Sequence, residues 1–477
     1  MKNYMKLIGL FSLLLSITSN SYAVPIAVID SGTDFEHPDL KANAWINPGD
    51  QADDGKDNEH NGKTDDIHGW NFAENNKKLI ERSLLGTFSP DVYKYFDVQF
   101  KKMAGTATVE DIDWMKARRQ DAKFIEEMNI YGNFMHGTHV AGISSHNAPK
   151  NEIMAIKLLP TVVKKPKGDK AVLDWANKFK FPVSSLLTGL GKGLSPQMID
   201  MIIKQGLKSL AGAQSEMLIP VGRYVRLSGA KVANCSFGSS PRMIQMLLGQ
   251  LFKAIFKKDM PEKELRTYTS FFMKELSEQG RKFSVIATKT LFVIAAGNDA
   301  ENNDEMPSYP AGIRRHNAIT VAATFGVSQL AEFSNYGKNT VEVAAPGVAI
   351  LSSEPGTGHV RVSGTSQAAP FVTNVAGRIL DQNPALTPEE VKSVLMGTVD
   401  FKESLKDKVV SGGVVNPERA VLAAELSRGM NLTDAMNKAR LNVMDVAETM
   451  ILPQVKKPGE HVVQASELMI PQFIRYE

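Results

Sequence analysis

Short apolar runs rich in β-branched residues alternate along the chain with longer amphipathic stretches. The apolar runs predict buried strands at residues 24–29, 153–158, 231–235, 290–295, 318–322 and 341–344. The amphipathic stretches predict helices, including residues 195–210, 241–256 and 263–282. Unbroken apolar strands alternating with helices are typical of a parallel sheet that is buried on both faces. We therefore predict an α/β fold, in which sites lie beyond the carboxyl ends of the strands.

The first 23 residues have the pattern of an export signal. Lys2 and Lys6 precede an apolar run at residues 7–17, and Ser21 and Ala23 are small residues at the two positions that a signal peptidase inspects. A membrane anchor is the alternative, but the apolar run is about half of the roughly 20 residues that a spanning helix needs. We predict a signal peptide and a periplasmic or secreted product without a stable membrane anchor.

Composition excludes several classes of protein. The chain has 477 residues, of which 43% are hydrophobic, which argues against a disordered or fibrous protein. Lys and Arg number 55 against 52 Asp and Glu, a net charge of +3 that indicates neither nucleic acid nor an anionic membrane as a partner. One cysteine, Cys235, excludes an intramolecular disulfide and multi-cysteine metal centres. The oligomeric state is left unknown.

Three segments are predicted additions to the sheet framework. Residues 47–70 are rich in Asp, Asn and Gly, residues 75–128 are charged and helix-prone, and residues 161–226 combine a basic stretch with an amphipathic helical pattern. We interpret each as a solvated surface insertion, with a recognition element as the alternative. The predicted organisation is a signal peptide at 1–23, one domain at 24–423 with insertions near 47–130 and 161–226, and a C-terminal extension at 424–477.

Three motifs carry residues with catalytic chemistry. Asp30 ends a predicted strand in VIDSGTDFEHPDL, and His136 begins HGTHVAG, whose glycines and small residues predict the start of a helix. Ser366 lies in SGTSQAAP, at a glycine-flanked turn into a predicted helix at residues 367–380. Pro370 is expected in the first turn, where it is tolerated because N–H groups there have no intrahelical partner.

Together these residue types suit nucleophilic catalysis. A serine hydroxyl becomes a good nucleophile when an imidazole removes its proton, and a buried carboxylate fixes that imidazole. Asp30, His136 and Ser366 would supply the three groups from the ends of elements in one sheet. Singly, each has an ordinary structural interpretation, as a turn Asp, a hydrogen-bonded His or an N-cap Ser. The length and combination of the motifs favour catalysis.

These strings resemble those of the subtilisin-like serine proteases, or subtilases, which carry Asp, His and Ser in this order. The resemblance implies a three-layer subtilisin-like fold with a mostly parallel central sheet and helical insertions. It also implies a serine endopeptidase that acts on protein or peptide substrates through an acyl-enzyme, with no cofactor for the chemistry. Asp30, His136 and Ser366 would form the catalytic triad, and His139 would be structural.

Two further resemblances place an oxyanion donor and a substrate cleft. Asn298 ends the string VIAAGN and would donate to the oxyanion beside the backbone N–H of Ser366; a turn Asn is the alternative. The resemblance also implies a cis bond between Tyr309 and Pro310. The residues that would line the substrate cleft are Ser236, Phe237, Gly238, Ala295, Ala296, Gly297 and Ser308.

The acidic loop carries part of a calcium-binding pattern. Asp57, Glu59, Asn61 and Asp65 have the first half of an EF-hand-like spacing, with His68 where a bidentate Glu belongs. A structural calcium ion and an ordinary solvated Asp/Asn turn are both open interpretations.

Two other functions stay open. One is a non-enzymatic binding or scaffold protein built on the same fold, with the insertions as its interaction surface. The other is a narrow processing protease, whose insertions restrict the cleft to one partner.

Overall fold

The computed structural model describes residues 23–103, 105–163, 168–447 and 461–464. The predicted signal peptide lies outside these residues, apart from Ala23. Within the described ranges, we find no helix with both the length and the apolar character needed to cross a bilayer.

One mixed, mostly parallel sheet forms the centre of the molecule. Its strand order is β11–β12–β8–β6–β5–β4–β1–β3–β2, with β7 antiparallel to β6 and β11 antiparallel to β12. A smaller sheet has the order β13–β10–β9. The strands are β1 (Val24–Asp30), β2 (Gly69–Asn71), β3 (Asn151–Lys157), β4 (Val232–Cys235), β5 (Leu291–Ala295), β6 (Ala318–Phe325), β7 (Gln329–Leu330), β8 (Val343–Pro346), β9 (Ile350–Ser353), β10 (His359–Ser363), β11 (Asp400–Phe401), β12 (Gly413–Val414) and β13 (His461–Gln464).

All six predicted strands lie in the central sheet, as β1, β3, β4, β5, β6 and β8, which confirms the predicted α/β class. The three predicted helices are also present, and the first of them extends to Leu227. The helices are α1 (Pro38–Lys41), α2 (Pro90–Met103), α3 (Val109–Arg118), α4 (Ala122–Ser145), α5 (Gly168–Lys178), α6 (Val183–Gly191), α7 (Pro196–Leu227), α8 (Pro241–Phe256), α9 (Glu262–Gly280), α10 (Lys282–Ile286), α11 (Thr365–Gln382), α12 (Pro388–Gly397), α13 (Pro417–Leu426) and α14 (Leu432–Asn442).

Helices cover both faces of the sheet because its strands are apolar on both sides. In β1, Ile26 and Val28 belong to the core that contains α4, α11 and α12, whereas Ala27 and Ile29 belong to the core that contains α7, α8 and α9. The result is a three-layer arrangement with β1 between β3 and β4.

All three predicted surface insertions contribute to hydrophobic cores, since residues 47–70 end in β2 and bury Trp70. Within residues 161–226, helix α7 buries Ile203, Leu207 and Leu210 against the sheet-facing core, so it is part of a structural layer. Residues 75–128 build a separate core in which Tyr95 and Phe96 of α2 contact the cluster around Tyr131 of α4. The interpretation of these segments as solvated additions is therefore wrong for α7 and incomplete for α2 and α3.

The predicted boundary at residue 424 falls inside α13. Ala424 is buried with Ala420 and Ala423 against the core that contains α11, and Ala439 of α14 is buried there too. Strand β13 pairs in parallel with β10. The division of the chain into domains stays a prediction.

Candidate active site

Asp30 and His136 form a close buried pair. Asp30 is the last residue of β1 and is fully buried, and its Oδ1 lies 2.7 Å from Nδ1 of His136. The same oxygen accepts the backbone N–H of Ser31 at 2.7 Å. A carboxylate at Nδ1 favours the tautomer with the proton on Nδ1, which leaves Nε2 as an acceptor.

His136 lies well inside a helix, so the prediction that its motif opens a helix is wrong. Helix α4 begins at Ala122, where the side chain of Asp121 caps the N–H groups of Lys123 and Phe124. The glycine after His136 has a packing role instead: a Cβ on Gly137 would lie 2.1 Å from the carbonyl oxygen of Gly32. Gly137 thus lets α4 approach the loop that follows β1.

Two further hydrogen bonds join that loop to α4. The N–H of Gly137 donates to Oγ of Ser31 at 3.0 Å, and the N–H of Asp34 donates to Oγ1 of Thr138 at 3.0 Å. Together with the Asp30–His136 contact, they join three consecutive residues of α4 to the end of β1 and the loop after it. The imidazole of His136 is thereby held beside Asp30.

Ser366 is the second residue of α11, because the helix begins at Thr365, two residues earlier than predicted. The prediction that Pro370 lies in the first turn is therefore wrong. Pro370 lies beyond the first turn and has no N–H for the carbonyl of Ser366, four residues before it. That carbonyl instead accepts a hydrogen bond from Oγ of Ser236 at 2.9 Å. In return, the hydroxyl of Ser366 donates to the carbonyl of Ser236 at 3.3 Å.

Asn298 is held by the start of the same helix. Its Oδ1 accepts hydrogen bonds from both the backbone N–H and Oγ1 of Thr365, each at 2.9 Å. Since the side-chain oxygen is fixed, the Nδ2 end of the amide has a defined direction. Asn298 and Ser366 line the same cleft, and the N–H groups in the first turn of α11 have no partner within the helix.

This cleft is open to solvent and has a cavity volume of about 60 Å³. His136, Ser366 and Asn298 line it, whereas Asp30 is buried behind His136. The predicted substrate-binding residues that also line it are Ser236, Phe237, Gly238, Ala295, Gly297 and Ser308.

Ala296 is a correction to the predicted cleft, because it is not among the lining residues. It is fully buried in a separate cluster with Ala322, Val341 and Ala344. Strand alternation explains this, since neighbouring side chains at the end of β5 point to opposite faces.

Several lining residues were missed. Asn133 lies one turn before His136 in α4, and it would have been found if the start of α4 had been placed correctly. The fold also brings Leu159, Ser31 and Ser240 to the cleft, and no motif in the sequence indicated this. The buried side chain of Asn335 was also missed.

Asn335 organises the loop beyond Asn298. Its Oδ1 accepts the N–H groups of Asp299 and Glu301 at 2.9 and 3.0 Å, and its Nδ2 donates to Oγ of Ser308 at 3.0 Å. The peptide bond between Tyr309 and Pro310 is cis, as the resemblance implies.

His139 lies one turn after His136 but makes structural contacts. Its Nε2 lies 3.1 Å from the carbonyl of Ile350 and 3.0 Å from that of Val360, so it joins α4 to β9 and β10. Burial lowers the pKa of His139 to about 3, which keeps the ring neutral. Cys235 is also buried, and both burial and the charge of Asp30 raise the pKa of its thiol.

The four predicted metal ligands do not converge. The carboxylate of Asp57 accepts the N–H groups of Asn61 and Gly62, and Asp65 pairs with Lys77 at 3.0 Å. Asp57 and Asp65 therefore serve the turn itself and correct the predicted set.

A different group of carboxylates meets at the base of the loop: Asp50, Glu59 and Asp66 have oxygens within 4.8 Å of one another. Burial, with Glu59 and Asp50 nearby, raises the pKa of Asp66 to about 6. Asn61 donates to Glu59 at 2.6 Å and to Asp66 at 3.0 Å. In the described structure, the buried oxygens Oε2 of Glu59 and Oδ1 of Asn61 have no hydrogen-bond partner.

The arrangement in the cleft therefore combines a hydroxyl, an imidazole bonded to a buried carboxylate, and amide donors. Comparison with known proteins places it in a class: the model of the subtilase family matches residues 22–418. The chain belongs to the subtilase family, a family of serine proteases.

Individual relatives agree with this assignment. Subtilisin-like protease 1 of Plasmodium berghei is 25% identical over 421 residues, which cover 86% of this chain and 52% of the relative. An extracellular protease of Xanthomonas campestris is 36% identical over 147 residues, 29% of this chain and 24% of the relative. These matches span about half or less of each relative.

A solved structure of a cold-adapted subtilisin-like serine proteinase aligns with 83% of this chain and 88% of its own, at 18% identity and a TM-score of 0.40.

Proposed function

We propose that this protein is an exported serine endopeptidase that hydrolyses peptide bonds through Asp30, His136 and Ser366. The observation that carries the proposal is the 2.7 Å contact between Asp30 and His136 at the wall of the cleft that Ser366 also lines. Membership of the subtilase family supports it.

In the proposed reaction, Nε2 of His136 removes the proton of the Ser366 hydroxyl as its oxygen attacks the scissile carbonyl carbon. Asp30 holds the imidazole and stabilises the imidazolium. The oxyanion accepts hydrogen bonds from Nδ2 of Asn298 and the N–H of Ser366. His136 then protonates the leaving amine as the acyl-enzyme forms. Hydrolysis by a water molecule, with His136 again as base, restores the free hydroxyl.

The substrate would bind in an extended conformation along residues 236–238. A peptide added at the edge of this segment would form main-chain hydrogen bonds, while its side chains enter the cleft. In the free protein, the Ser366 hydroxyl donates to the carbonyl of Ser236. Attack on a substrate therefore requires the hydroxyl to turn from that carbonyl to His136.

The test is covalent labelling with a fluorophosphonate together with cleavage of casein. Wild type should react, and Ser366→Ala should lose both activities while its circular dichroism spectrum is unchanged. Ser308→Ala is the matched control, because Ser308 lines the same cleft and should leave labelling intact. Equal labelling of wild type and Ser366→Ala would show that Ser366 is not the nucleophile.

The same assay distinguishes the proposed endopeptidase from the two alternatives, a scaffold protein and a narrow processing protease. A non-enzymatic scaffold would neither label nor cleave. A narrow processing protease would label at Ser366 but leave casein intact, because its insertions would admit only one partner.

We further propose export with removal of residues 1–23. The charged start and apolar run support this, and one relative is named an extracellular protease. The mature N-terminus should then be Val24, which N-terminal sequencing of the exported protein would show. Recovery of the product from periplasmic extract or from medium would distinguish the two destinations.

We also propose a structural calcium ion held by Asp50, Glu59 and Asp66, with Oδ1 of Asn61 as a further ligand. Carboxylate and amide oxygens are the ligands that calcium prefers, and two of these oxygens are buried without a hydrogen-bond partner in the described structure. A bound divalent cation would reduce the repulsion among the three converging carboxylates and stabilise the loop. The chemistry of peptide hydrolysis needs no cofactor in this proposal.

A further inference from the structure

One wall of the cleft is formed by helix α4 and by the segment that follows β3. Gly132, Asn133 and His136 reach the cleft from α4, and Leu159 reaches it from the segment after β3. Asn133 and His136 are three residues apart, which places them on one face of the helix with their Cβ atoms about 5–6 Å apart. Asn133 is therefore next to the imidazole that acts at the scissile bond in the proposed reaction.

The side-chain amide of Asn133 has one end bound and the other end available. Its Nδ2 donates to the backbone carbonyl of Thr161 at 3.2 Å. Because a carbonyl oxygen can only accept, this contact fixes which end of the amide carries the nitrogen. Oδ1 accepts no hydrogen bond from the part of the chain that the structure describes, and it keeps some contact with solvent although Asn133 is only 4% exposed. Oδ1 is thus an acceptor without a partner at the surface of the cleft.

The carbonyl that holds Asn133 is itself held in place. Oγ1 of Thr161 accepts a hydrogen bond from Nζ of Lys157 at 3.3 Å. Lys157 is fully buried at the end of β3 and pairs with Glu74 at 3.3 Å. The next two N–H groups after Lys157 donate to the carbonyl of Asp30 at 2.7 and 3.2 Å, which ties the same segment to β1. Since both sides of the contact are fixed, little ordering is needed before Oδ1 of Asn133 binds a donor.

The chemistry of the lining residues determines which donor suits this oxygen. Among the described residues, no Asp, Glu, Lys or Arg side chain lines the cleft. A charged substrate side chain would lose part of its hydration there without gaining an opposite charge, which is costly. A neutral side chain that donates one hydrogen bond avoids that cost. Leu159 beside Asn133 adds apolar surface on which a methyl group can pack.

We propose that Asn133 is a specificity-determining residue, which accepts a hydrogen bond from a substrate hydroxyl group on a residue near the scissile bond. This inference rests on the proposed peptidase function, because it assigns a selectivity to that site. A threonine side chain suits both neighbours, since its hydroxyl donates to Oδ1 of Asn133 while its methyl group packs against Leu159. Valine has the same shape but no donor, so it would displace water from Oδ1 and leave that oxygen unpaired. Sites that hydrogen-bond a substrate group discriminate strongly against an analogue that lacks it.

The test compares peptides in which a hydroxyl group is exchanged for a methyl group. In a peptide that the chain cleaves, Thr and Val are placed in turn at the two positions before and the two positions after the scissile bond, and kcat/KM is measured for each. One position should show a preference for Thr of about tenfold or more, because only there does the hydroxyl reach Oδ1 of Asn133. At the other positions, the Thr and Val peptides should be cleaved similarly.

Three variants locate the contact. Asn133→Leu keeps a side chain of similar size but removes the acceptor, so the preference for Thr over Val should disappear. Asn133→Asp places a carboxylate at the same point, so Lys should be preferred there over the similarly long Met by about tenfold or more. The matched control is Asn442→Leu, which should keep the preference for Thr. Asn442 also lies in a helix and donates to a backbone carbonyl, that of Lys438 at 2.8 Å, but it does not line the cleft.

Peptide binding to the Ser366→Ala chain separates this inference from the proposed hydrolysis. Affinities of the same Thr and Val peptides, measured by fluorescence anisotropy, should show the preference of about tenfold without any cleavage. Equal affinities at every position, or no peptide binding, would overturn the role of Asn133. A preference for Thr that survives in folded Asn133→Leu would also overturn it, because another residue would then make the contact.

Circular dichroism reports whether Asn133→Leu folds. If it does not, Asn133→Asp decides, and an Asn133→Asp chain without any gain for Lys would overturn the proposal. Failure of the wild-type chain to label with a fluorophosphonate would instead count against the proposed hydrolysis alone, since peptide binding to Ser366→Ala does not depend on it.

Discussion

Ser236 and Ser366 are joined by two reciprocal hydrogen bonds, in which each hydroxyl donates to the backbone carbonyl of the other residue. Pro370 makes one of them necessary, because it has no N–H to offer the carbonyl of Ser366 within the helix. Ser236 therefore connects the proposed substrate-binding segment to the start of α11.

We expect Ser236→Ala to lower the free energy of unfolding by about 1–2 kcal/mol, because the buried carbonyl of Ser366 loses its donor. Pro370→Ala should lessen this loss by supplying an N–H from within α11. The double-mutant cycle, measured by urea unfolding, should show a favourable coupling of about 0.5–1.5 kcal/mol. Strictly additive effects would contradict the relation between Pro370 and Ser236.

Asn298→Asp should lower kcat about 10²–10³-fold with little change in KM. The Asp side chain keeps an oxygen for both donors of Thr365, but it loses the Nδ2 donor to the oxyanion. Steady-state kinetics on a peptide substrate would measure this. Thr365→Ser is the control, since it retains both hydrogen bonds, and its kcat should stay close to that of wild type. A change in KM alone after Asn298→Asp would indicate a ground-state role instead.

Gly137→Ala should destabilise the protein by about 1–3 kcal/mol and reduce activity, because the new Cβ would separate α4 from the carbonyl of Gly32. Gly249→Ala in α8 is the matched control. Its Cβ would meet Leu265 at an ordinary 3.5 Å, so stability should stay equal or rise by up to about 1 kcal/mol. Thermal unfolding and labelling of both variants test the difference, and similar behaviour would argue against the close approach.

His139→Ala should cost about 2–4 kcal/mol at pH 8, where it leaves a cavity and two carbonyls without their donor. The pKa of His139 is lowered from 6.5 to about 3, so the wild-type chain loses stability as pH falls below 6.5. The variant lacks this titration. The gap in unfolding free energy should therefore shrink between pH 8 and pH 5, as urea unfolding at both pH values would measure. A gap independent of pH would show that His139 is not held neutral by the fold.

Calcium should raise the melting temperature at pH 7, and a chelator should reverse the effect. Asp66→Asn should abolish the response, whereas Asp57→Asn should retain it, because Asp57 lies outside the converging group. Equal responses in both variants would reject the ligand set.

In chelator, the raised pKa of Asp66 predicts that this group's contribution to stability falls as pH rises from about 4 through 6. Asp66→Asn removes the titrating group, so melting curves at pH 5 and 7 should show a smaller pH effect in the variant.

The strand framework could be predicted from the sequence because buried parallel strands are continuous apolar runs. The short edge strands β11 and β12 have no such run, and their pairing depends on chain segments that meet only in the fold. The start of α4 was misplaced because the glycines and small residues of HGTHVAG suggested the start of a helix, whereas Gly137 makes a close contact with Gly32.

Within the site, the positions of Asp30, His136 and Ser366 could be predicted from their motifs. The bond from Ser236 to Ser366 could not, since it joins residues 130 positions apart. The metal ligands predicted in the acidic loop were wrong for a related reason. An EF-hand-like spacing counts residues along the chain, but Asp50 and Asp66 approach Glu59 only after the loop has folded back.

The position of β1 between β3 and β4 has a consequence for biosynthesis. Ile26 of β1 pairs with Val232 of β4, which is synthesised about 200 residues later. Until then, β1 lacks the second of its two neighbouring strands. In a chain that is cut short or stalled before that point, β1 can pair with β3 but keeps one unpaired edge, and Ser366 follows later still. Such fragments should therefore be prone to aggregate and inert toward polypeptides, and the proposed hydrolysis would need synthesis to pass Ser366.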